Sequence, residues 1–204
     1  MKVLVIGASG KTGTHVWQQA LEQGQEVSVF VRTASKLETV KGKVNIISGD
    51  VLSADSVAAA VVGHDAVIVC LGSTGLSDTS TLTTGTRNVI AAMQQHKVPR
   101  LIVISAAGVG ESWRQIGWMS RILFKTMLKN LFNDHIAQEA LVKQADLDWT
   151  IVRAGILTDK PARGDYRADN TTRTGKIARA DLADFLVKQV TDERYLRQAI
   201  SVSS

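Results

Sequence analysis

The chain has 204 residues, and its formal net charge is +5 when its four histidines are neutral. Apolar residues make up 45% of the sequence and charged residues 21%, a composition typical of one globular domain with a sizeable core. The mild positive charge favours small anionic ligands. The low aromatic content, 5%, and the lack of a stacking motif argue against nucleic-acid binding.

The cellular location is predicted from the N-terminus and the cysteine content. The N-terminal apolar run stops at Gly7, too early for a signal peptide, and no apolar stretch is long enough to cross a bilayer. Cys70 is the single cysteine, which excludes an intramolecular disulfide and fits a buried small hydrophobic residue. No group of histidines, cysteines and carboxylates has metal-site spacing. We expect a cytoplasmic protein without a metal ion; its oligomeric state stays open, with a monomer favoured.

The chain begins with a strand, a glycine-rich turn and a helix. Residues 2–6 are rich in β-branched residues, Gly7, Gly10 and Gly13 follow at GxxGxxG spacing, and residues 14–23 have a helical pattern. Glycines let the chain turn sharply, let a pyrophosphate approach the backbone and let the helix pack against the strand. The helix N-terminus then offers free N–H groups to the phosphates. This order predicts a dinucleotide-binding unit; the alternative is a glycine turn without a ligand.

Strands and helices alternate through most of the remaining chain. Gly24 is a typical helix C-cap residue, and Ser53 is the predicted N-cap of the next helix. We predict strands at 25–31, 44–47, 66–71, 100–104, 148–152 and 198–202. We predict helices at 53–62, 79–96, 118–145 (in two pieces that meet near 130–134) and 181–190. This alternation predicts a single α/β domain over residues 1–204, a Rossmann-type doubly wound parallel sheet with helices on both faces.

Two segments that interrupt the alternation, 106–130 and 158–175, are predicted to form the substrate side. Residues 158–175 are polar and contain glycine and proline, which indicates a loop over the edge of the sheet. The helical part of the first segment carries Arg121, Lys125 and Lys129 at four-residue spacing. An amphipathic helix with one face in the core explains this pattern, and a membrane-surface or partner-binding helix is the alternative.

The residue after the second strand indicates which dinucleotide binds. NAD-binding proteins of this fold place a carboxylate there to hydrogen-bond the ribose 2′-OH. This strand ends instead in Arg32, whose guanidinium suits a 2′-phosphate, and Lys11, Thr33 and Ser35 could add donors. We therefore predict NADP rather than NAD; the alternative is that Arg32 is a solvated surface residue.

Further candidate residues follow from topology, because ligands of such sheets lie beyond the carboxyl ends of the strands. Asp50 and Val51 could border the adenine, and Ser105 would lie near the nicotinamide, although capping of the next turn explains this serine equally well. The predicted cofactor-binding residues are Gly7, Ser9, Gly10, Lys11, Thr12, Gly13, Arg32, Asp50, Val51, Leu71, Gly72, Ser73, Arg153, Ala154, Gly155 and Ile156; the candidate catalytic residues are Ser105 and His135.

Several of these stretches together resemble a known family. They are GASGKTG at 7–13, GDV at 49–51, TRNV at 86–89, LDWTIVR at 147–153 and IARADLA at 177–183. Over nearly its whole length the chain is similar to the atypical short-chain dehydrogenases/reductases with a bare, NmrA-like NAD(P)H-binding domain. Within that group, VFVR at 29–32, HDAVIV at 64–69, GTRNVIAAM at 85–93 and NDHI at 133–136 look most like the flavin and biliverdin-IXβ reductases.

The resemblance implies NADPH-dependent hydride transfer to a flavin or linear tetrapyrrole stacked on the nicotinamide. It also implies that Ser105 lies beside the nicotinamide, and that the family's cofactor-binding roles fall to Gly7, Gly10, Lys11, Thr12, Gly13 and Arg32. Two positions depart from the family pattern. Residues 71–76 lack the arginine that follows the family's fourth strand, and Ile156 aligns with a family histidine that would be a candidate proton donor.

The sequence also lacks the Tyr-x-x-x-Lys pair that protonates carbonyl substrates in tyrosine-dependent dehydrogenases. Neither Tyr166 nor Tyr195 has a lysine four residues later, and the expected helix offers Leu131 and His135 instead. Reduction of a flavin tolerates this, because solvent can supply the proton. His135 is the remaining candidate donor, with a surface or helix-capping histidine as the alternative.

We therefore predict an NADPH-dependent reductase of a planar acceptor. Arg114, Arg121 and Lys125 could attract the acceptor's phosphate or propionates, although a solvated helix face explains them as well. Two other functions stay open. One is a non-catalytic NADP(H) sensor that acts on a partner through residues 106–130, and the other is a reductase of quinones or small carbonyls.

Overall fold

A computed structural model describes residues 1–35, 37, 42–72, 80–118, 121–122, 126 and 128–204. The strands are β1 (Lys2–Ile6), β2 (Glu26–Val31), β3 (Asn45–Ser48), β4 (Ala66–Val69), β5 (Arg100–Ala106), β6 (Asp148–Ala154), β7 (Ile156–Thr158), β8 (Arg167–Ala168), β9 (Lys176–Ala178) and β10 (Gln198–Ser203). The helices are α1 (Lys11–Glu22), α2 (Ala54–Val61), α3 (Thr81–His96), α4 (Lys129–Gln144) and α5 (Arg179–Lys188), with a 3₁₀ helix at Gly110–Gln115.

Eight strands form the main sheet in the order β3-β2-β1-β4-β5-β6-β10-β8. Every neighbouring pair is parallel except β10 and β8. The predicted Rossmann-type doubly wound sheet is thereby confirmed. The chain runs outward from β1 to β3 and then returns to the other side of β1 as β4. This reversal opens a crevice at the carboxyl ends of β1 and β4, where such sheets bind their ligands.

Side chains that alternate along the strands build two apolar layers, one on each face of the sheet. Val3 and Val5 belong to the layer under α1 and α5, whereas Leu4 and Ile6 belong to the layer under α2, α3 and α4. A parallel strand buried on both faces needs apolar residues at successive positions, which is the pattern of β1 and β4. The predicted helix signals are also confirmed: the Ser53 hydroxyl accepts the Ser56 N–H at 3.3 Å, and Gly24 has a φ of +77° after α1.

Several predicted boundaries were wrong, for reasons of tertiary pairing. The predicted loop 158–175 contains β8, which pairs with the end of β10, and β7 and β9 form a second small sheet. Strands of two or three residues are fixed by the chain they pair with, so their own sequence gives little signal. Helix α1 begins at Lys11 rather than at residue 14. Helix α4 begins at Lys129 and runs without a break through 130–134.

A carboxylate from α4 caps the start of α3. Asp134 is buried, and its two oxygens accept the Leu82 N–H at 2.9 Å and the Thr83 N–H at 3.0 Å. One turn further along α4, the Gln138 side-chain amide donates to the Thr86 hydroxyl at 2.9 Å. These bonds fix α3 against α4 and satisfy donors that a helix N-terminus otherwise leaves free.

The glycine turn packs α1 closer to β1 than any other residue would permit. Gly7 has a φ of +79°, and a Cβ atom there would lie 2.5 Å from the Cys70 carbonyl oxygen. A Cβ at Gly13 would lie 2.2 Å from the Gly7 carbonyl oxygen. Both contacts are with backbone, so neither can be relieved by moving a side chain.

Replacement of Gly13 should therefore separate α1 from β1. We expect Gly13→Ala to lower the free energy of unfolding by about 1–3 kcal/mol, the usual cost of overpacking. Gly72→Ala is the matched control because a Cβ at Gly72 has no neighbour within 4 Å. Urea denaturation of both variants tests this, and equal stabilities would contradict the packing argument.

Candidate functional site

An open cleft of about 530 Å³ lies at the crevice between β1 and β4. It is lined by Ile6, Gly7, Ser9, Gly10, Phe30, Val31, Arg32, Gly49, Asp50, Val51, Leu71, Gly72 and other residues at the same edge of the sheet. The structure thus brings together predicted residues from four strand ends. The buried Cys70 belongs to its lining, and burial raises the pKa of this thiol to about 12, as expected of a hydrophobic cysteine.

The α1 N-terminus borders this cleft with its donors free. Gly10 is the N-cap, no side chain caps the helix, and its first turn (Lys11, Thr12 and Gly13) carries no acidic residue. The α3 N-terminus differs, since Asp134 occupies its donors. Free N–H groups and the positive end of the helix dipole favour a phosphate group at α1.

Arg32 lies in the same cleft, two residues beyond the point where Phe30 pairs with Ile6 in the parallel register. Its side chain is exposed and forms no ion pair within the described part of the chain. Thr33 and Ser35 follow it and are also exposed. The end of β2 therefore offers hydrogen-bond donors and a full positive charge, without a carboxylate to neutralise it.

Helix α3 holds the far wall of the cleft in place. A Cβ at Gly85 would lie 2.9 Å from side-chain carbons of both Leu71 and Val51, so only glycine lets α3 approach them. The Asn88 side-chain amide donates to the Val51 carbonyl at 2.9 Å. Gly85 and Asn88 belong to the GTRN stretch, whose positioning role sequence reasoning missed. Ser73, predicted for the same wall, lies outside the described residues.

Lys11 is not among the residues that line the cleft, and its predicted contribution of a donor to the cofactor stays a prediction. Its ammonium group lies 2.8 Å from a carboxylate oxygen of Asp159, and Arg179 binds the other oxygen. The hydrogen bond from Lys11 lowers the pKa of Asp159 below its usual range. This pair connects the glycine turn to the segment 158–175.

Ser105 and Arg153 lie side by side at the ends of β5 and β6 and share a buried carboxylate. The Ser105 hydroxyl donates to Glu139 Oε1 at 2.8 Å, and Arg153 binds Glu139 through Nε at 2.9 Å and Nη2 at 2.7 Å. Arg153 Nη2 also donates to Glu111 at 2.7 Å, and Lys143 approaches both carboxylates. Neither Ser105 nor Arg153 lines the cofactor cleft. The predicted capping of the next turn by Ser105 is not seen, and its catalytic role stays a prediction.

The other residues predicted beside the nicotinamide follow β6. Ala154 is buried, Gly155 lies where a Cβ would be 2.4 Å from the Gly175 carbonyl oxygen, and Ile156 is 59% exposed at the start of β7. None of them lines the cofactor cleft. His135 is half-buried beside Gln138, and burial lowers its pKa, so its imidazole is neutral at pH 7. The role of residues 154–156 as a wall of the nicotinamide site and the role of His135 as a proton donor both remain predictions.

A second cleft, which we call the arginine cleft, lies between the segment that follows β5 and the segment that follows β8. It has a volume of about 520 Å³ and is lined by Glu111, Arg114, Gln115, Ile116, Gly117, Trp118, Arg121, Asn170, Thr171 and Arg173. Arg114 and Arg173 form no ion pair with the described residues, and Trp118 is 69% exposed. The two predicted substrate-side segments therefore meet around a positively charged cleft with an exposed aromatic ring. Lys125 lies outside the described residues.

Both tyrosines contact residues of α5. The Tyr166 hydroxyl donates to Asp184 and accepts from Lys188, so a tyrosine and a lysine do meet in space. Burial and the Asp184 carboxylate raise the pKa of Tyr166 to about 12, however, which is the opposite of what proton donation requires. Tyr195 packs on Phe185.

Comparison with known families matches residues 7–193 to a single model, described as NAD(P)H-binding. The chain belongs to this family. The match begins at the glycine turn and includes β2, β3 and β4, whose carboxyl ends line the cofactor cleft. In the described residues no group of histidines, cysteines and carboxylates could hold a metal ion, and no helix is long and apolar enough to span a membrane.

Relatives and solved structures share the whole domain. An uncharacterized chloroplastic protein of Arabidopsis thaliana is 27% identical over 206 residues, which cover 94% of this chain and 72% of the relative. ChuY, an anaerobillin reductase from Escherichia coli O157:H7, superposes with a TM-score of 0.85 at 22% identity, over 100% of this chain and 97% of ChuY. A short-chain dehydrogenase/reductase from Veillonella parvula in complex with NADP has a TM-score of 0.82 at 16% identity, over 100% and 94%. Because one relative is chloroplastic, the cytoplasmic location stays a prediction.

The ion pair between Arg153 and Glu111 predicts a pH-dependent stability. The hydrogen bond from Arg153 lowers the pKa of Glu111 from 4.5 to about 2. The folded state therefore gains stability above pH 4.5 and loses it as the pH falls towards 2. We expect Glu111→Gln to cost up to about 1 kcal/mol at pH 7, because the carboxylate is largely solvated, and less at pH 3.

Urea denaturation at the two pH values measures this difference. Glu22→Gln, at an exposed position on α1 without an ion pair in the described chain, is the matched control. A cost for Glu111→Gln that is as large at pH 3 as at pH 7 would contradict the assignment.

Proposed function

We propose that the protein is an NADPH-dependent reductase that passes a hydride to a planar acceptor, a flavin or a biliverdin-like tetrapyrrole. The observation that carries the proposal is the position of Arg32, which is exposed, has no ion-pair partner among the described residues and lies in the same cleft as the α1 N-terminus. The two features lie at one edge of the sheet and both favour phosphate groups.

The cleft fits NADPH in shape and in charge. A Cβ at Gly7 or Gly10 would meet backbone within 3.2 Å, so both positions need glycine for the tight turn that would bring the backbone close to a pyrophosphate. The free N–H groups of α1 would hold the pyrophosphate, and the Arg32 guanidinium would hold a 2′-phosphate through charge-assisted hydrogen bonds. Val51 and Leu71 would supply apolar contacts to the adenosine half. The NADP complex of the Veillonella protein, which has the same fold, supports this cofactor.

In the proposed reaction the protein mainly positions the reacting groups. NADPH, when bound, supplies the hydride; the chain binds and orients the two rings and excludes water between them. The two candidate catalytic residues provide no obvious acid: the imidazole of His135, on α4, is neutral at pH 7, and the Ser105 proton is donated to Glu139. A flavin accepts hydride at a ring nitrogen and can take its proton from solvent, so it tolerates such a site better than a ketone does.

The arginine cleft is the proposed binding site for the acceptor's anionic groups. Arg114 and Arg173 are free of carboxylate partners in the described chain, and Trp118 offers a flat apolar surface beside them. A planar acceptor that carries phosphate or carboxylate groups matches both features. ChuY, a reductase with the same fold, supports a reductase function.

Oxidation of NADPH by candidate acceptors tests the function directly. We expect NADPH absorbance to fall when FMN, riboflavin or biliverdin is added, and to fall less with quinones. Arg173→Ala should raise the KM for FMN more than the KM for uncharged riboflavin. Tight NADP binding without oxidation by any acceptor would contradict the reductase and favour a sensor.

The cofactor assignment has its own test. We expect Arg32→Ala to weaken NADPH binding by roughly tenfold to a hundredfold, the value of a charge-assisted hydrogen bond, with little effect on NADH. Arg194→Ala is the control of equal charge, because Arg194 is exposed beside Tyr195 and does not line the cleft. Fluorescence titration measures both dissociation constants. Equal losses for the two cofactors would overturn the NADP assignment.

A further inference from the structure

Glu139 is a buried carboxylate on an otherwise largely apolar face of the sheet. Only 3% of it is exposed, and it packs beside the layer that contains Val103 and Ile151. Burial of an ion is costly unless its oxygens are fully paired. Here they are: Oε1 accepts hydrogen bonds from Ser105 and Arg153, and Oε2 accepts one from Arg153.

The geometry of the carboxylate is fixed from several sides. Arg153 binds it in a bidentate manner, which sets the plane of the carboxylate. Gly110 has no Cβ, and one would lie 2.9 Å from Arg153 Nη2, so glycine lets the 3₁₀ helix close over the guanidinium. Glu111 of that helix then binds Arg153 from the solvent side. Glu139 therefore cannot turn away from Ser105 without breaking the pair.

This arrangement determines which hydrogen bonds Ser105 can form with a ligand. A serine hydroxyl has one proton and two lone pairs. The proton is donated to a buried carboxylate at 2.8 Å, one of the stronger hydrogen bonds available to a hydroxyl. Ser105 can therefore offer a ligand only its oxygen, as a hydrogen-bond acceptor. A ligand group that needs a hydrogen-bond donor would have to displace Glu139.

The register places Ser105 near the nicotinamide end of the expected site. Val103 pairs with Val69 across β4 and β5, so Ser105 lies level with Leu71, which lines the cofactor cleft; Ser105 itself is 2% exposed and is not among the residues that line this cleft. The nicotinamide carboxamide carries an NH₂ donor and is the cofactor group that suits a serine held as an acceptor.

We propose that Glu139 is a positioning residue that keeps Ser105 a hydrogen-bond acceptor for the carboxamide NH₂ of the nicotinamide. The inference depends on the proposed function for NADP(H) binding, although not on which acceptor is reduced. It implies that Ser105 is not the proton donor of the reaction, since its proton remains on the bond to Glu139.

The test compares NADP⁺ with its 3-acetylpyridine analogue, whose acetyl group lacks the NH₂ donor. We expect the unmodified protein to bind NADP⁺ roughly threefold to tenfold more tightly than the analogue, the value of one hydrogen bond. Ser105→Ala and Glu139→Gln should each abolish this preference. A purely structural role would instead weaken both ligands equally. Addition of Glu139→Gln to Ser105→Ala should change the preference no further, because Glu139 acts through Ser105.

A second variant tests the same inference if Glu139→Gln does not fold. Glu139→Leu combined with Arg153→Met replaces the buried ion pair with apolar side chains of similar volume, a change that folded proteins often tolerate. It should also abolish the preference. Ser28→Ala is the matched control, because Ser28 is a buried strand serine bonded to His64 at 2.8 Å and should keep the preference.

The outcomes separate this inference from the proposed function. A preference that persists in Ser105→Ala, or in both folded Glu139 variants, overturns the inference while NADPH oxidation still supports the reductase. The expected loss of preference without NADPH oxidation by any acceptor supports the inference and overturns the reductase. Failure of the unmodified protein to bind NADP⁺ overturns both.

Discussion

The contact between the Gly7 carbonyl and Gly13 determines how the rest of the cofactor edge is built. It brings the first turn of α1 against the end of β1, so the uncapped N–H groups of the helix face the crevice beside β4. Any side chain at Gly13 would push the helix away. Arg32 is placed by a different constraint, because the register of β2 on β1 fixes how far the second strand extends past Ile6.

The start of α3 shows how the fold distinguishes two helix ends at one edge. Both α1 and α3 begin at the carboxyl side of the sheet, where phosphate groups would be attracted to either. Asp134, on α4, accepts hydrogen bonds from the first N–H groups of α3, whereas no side chain of the described residues caps α1. One carboxylate from another helix therefore directs the anionic ligand to the glycine turn.

A buried ion network lies at the ends of β5 and β6. Glu139 and Arg153 lie between α4 and β6, and Glu111 extends their network into the 3₁₀ helix of the substrate-side segment. The network ties the end of β5 to a surface segment near the arginine cleft. Hydride transfer between two bound rings needs rigid walls more than it needs acids, and an ion network with all carboxylate oxygens paired provides rigidity.

The sequence by itself determined the sheet and the edge that binds NAD(P)H, and it predicted NADP as the ligand. Glycine spacing, continuous apolar strands and the arginine after β2 are local signals, because backbone sterics and burial on both faces act residue by residue. Tertiary structure alone decided the rest. Lys11 binds Asp159, Asp134 caps a helix about fifty residues away in the chain, and Ser105 shares Glu139 with Arg153. Such pairs join elements that are distant in sequence, and a buried charge has no local pattern that names its partner; only the packed fold brings the two together.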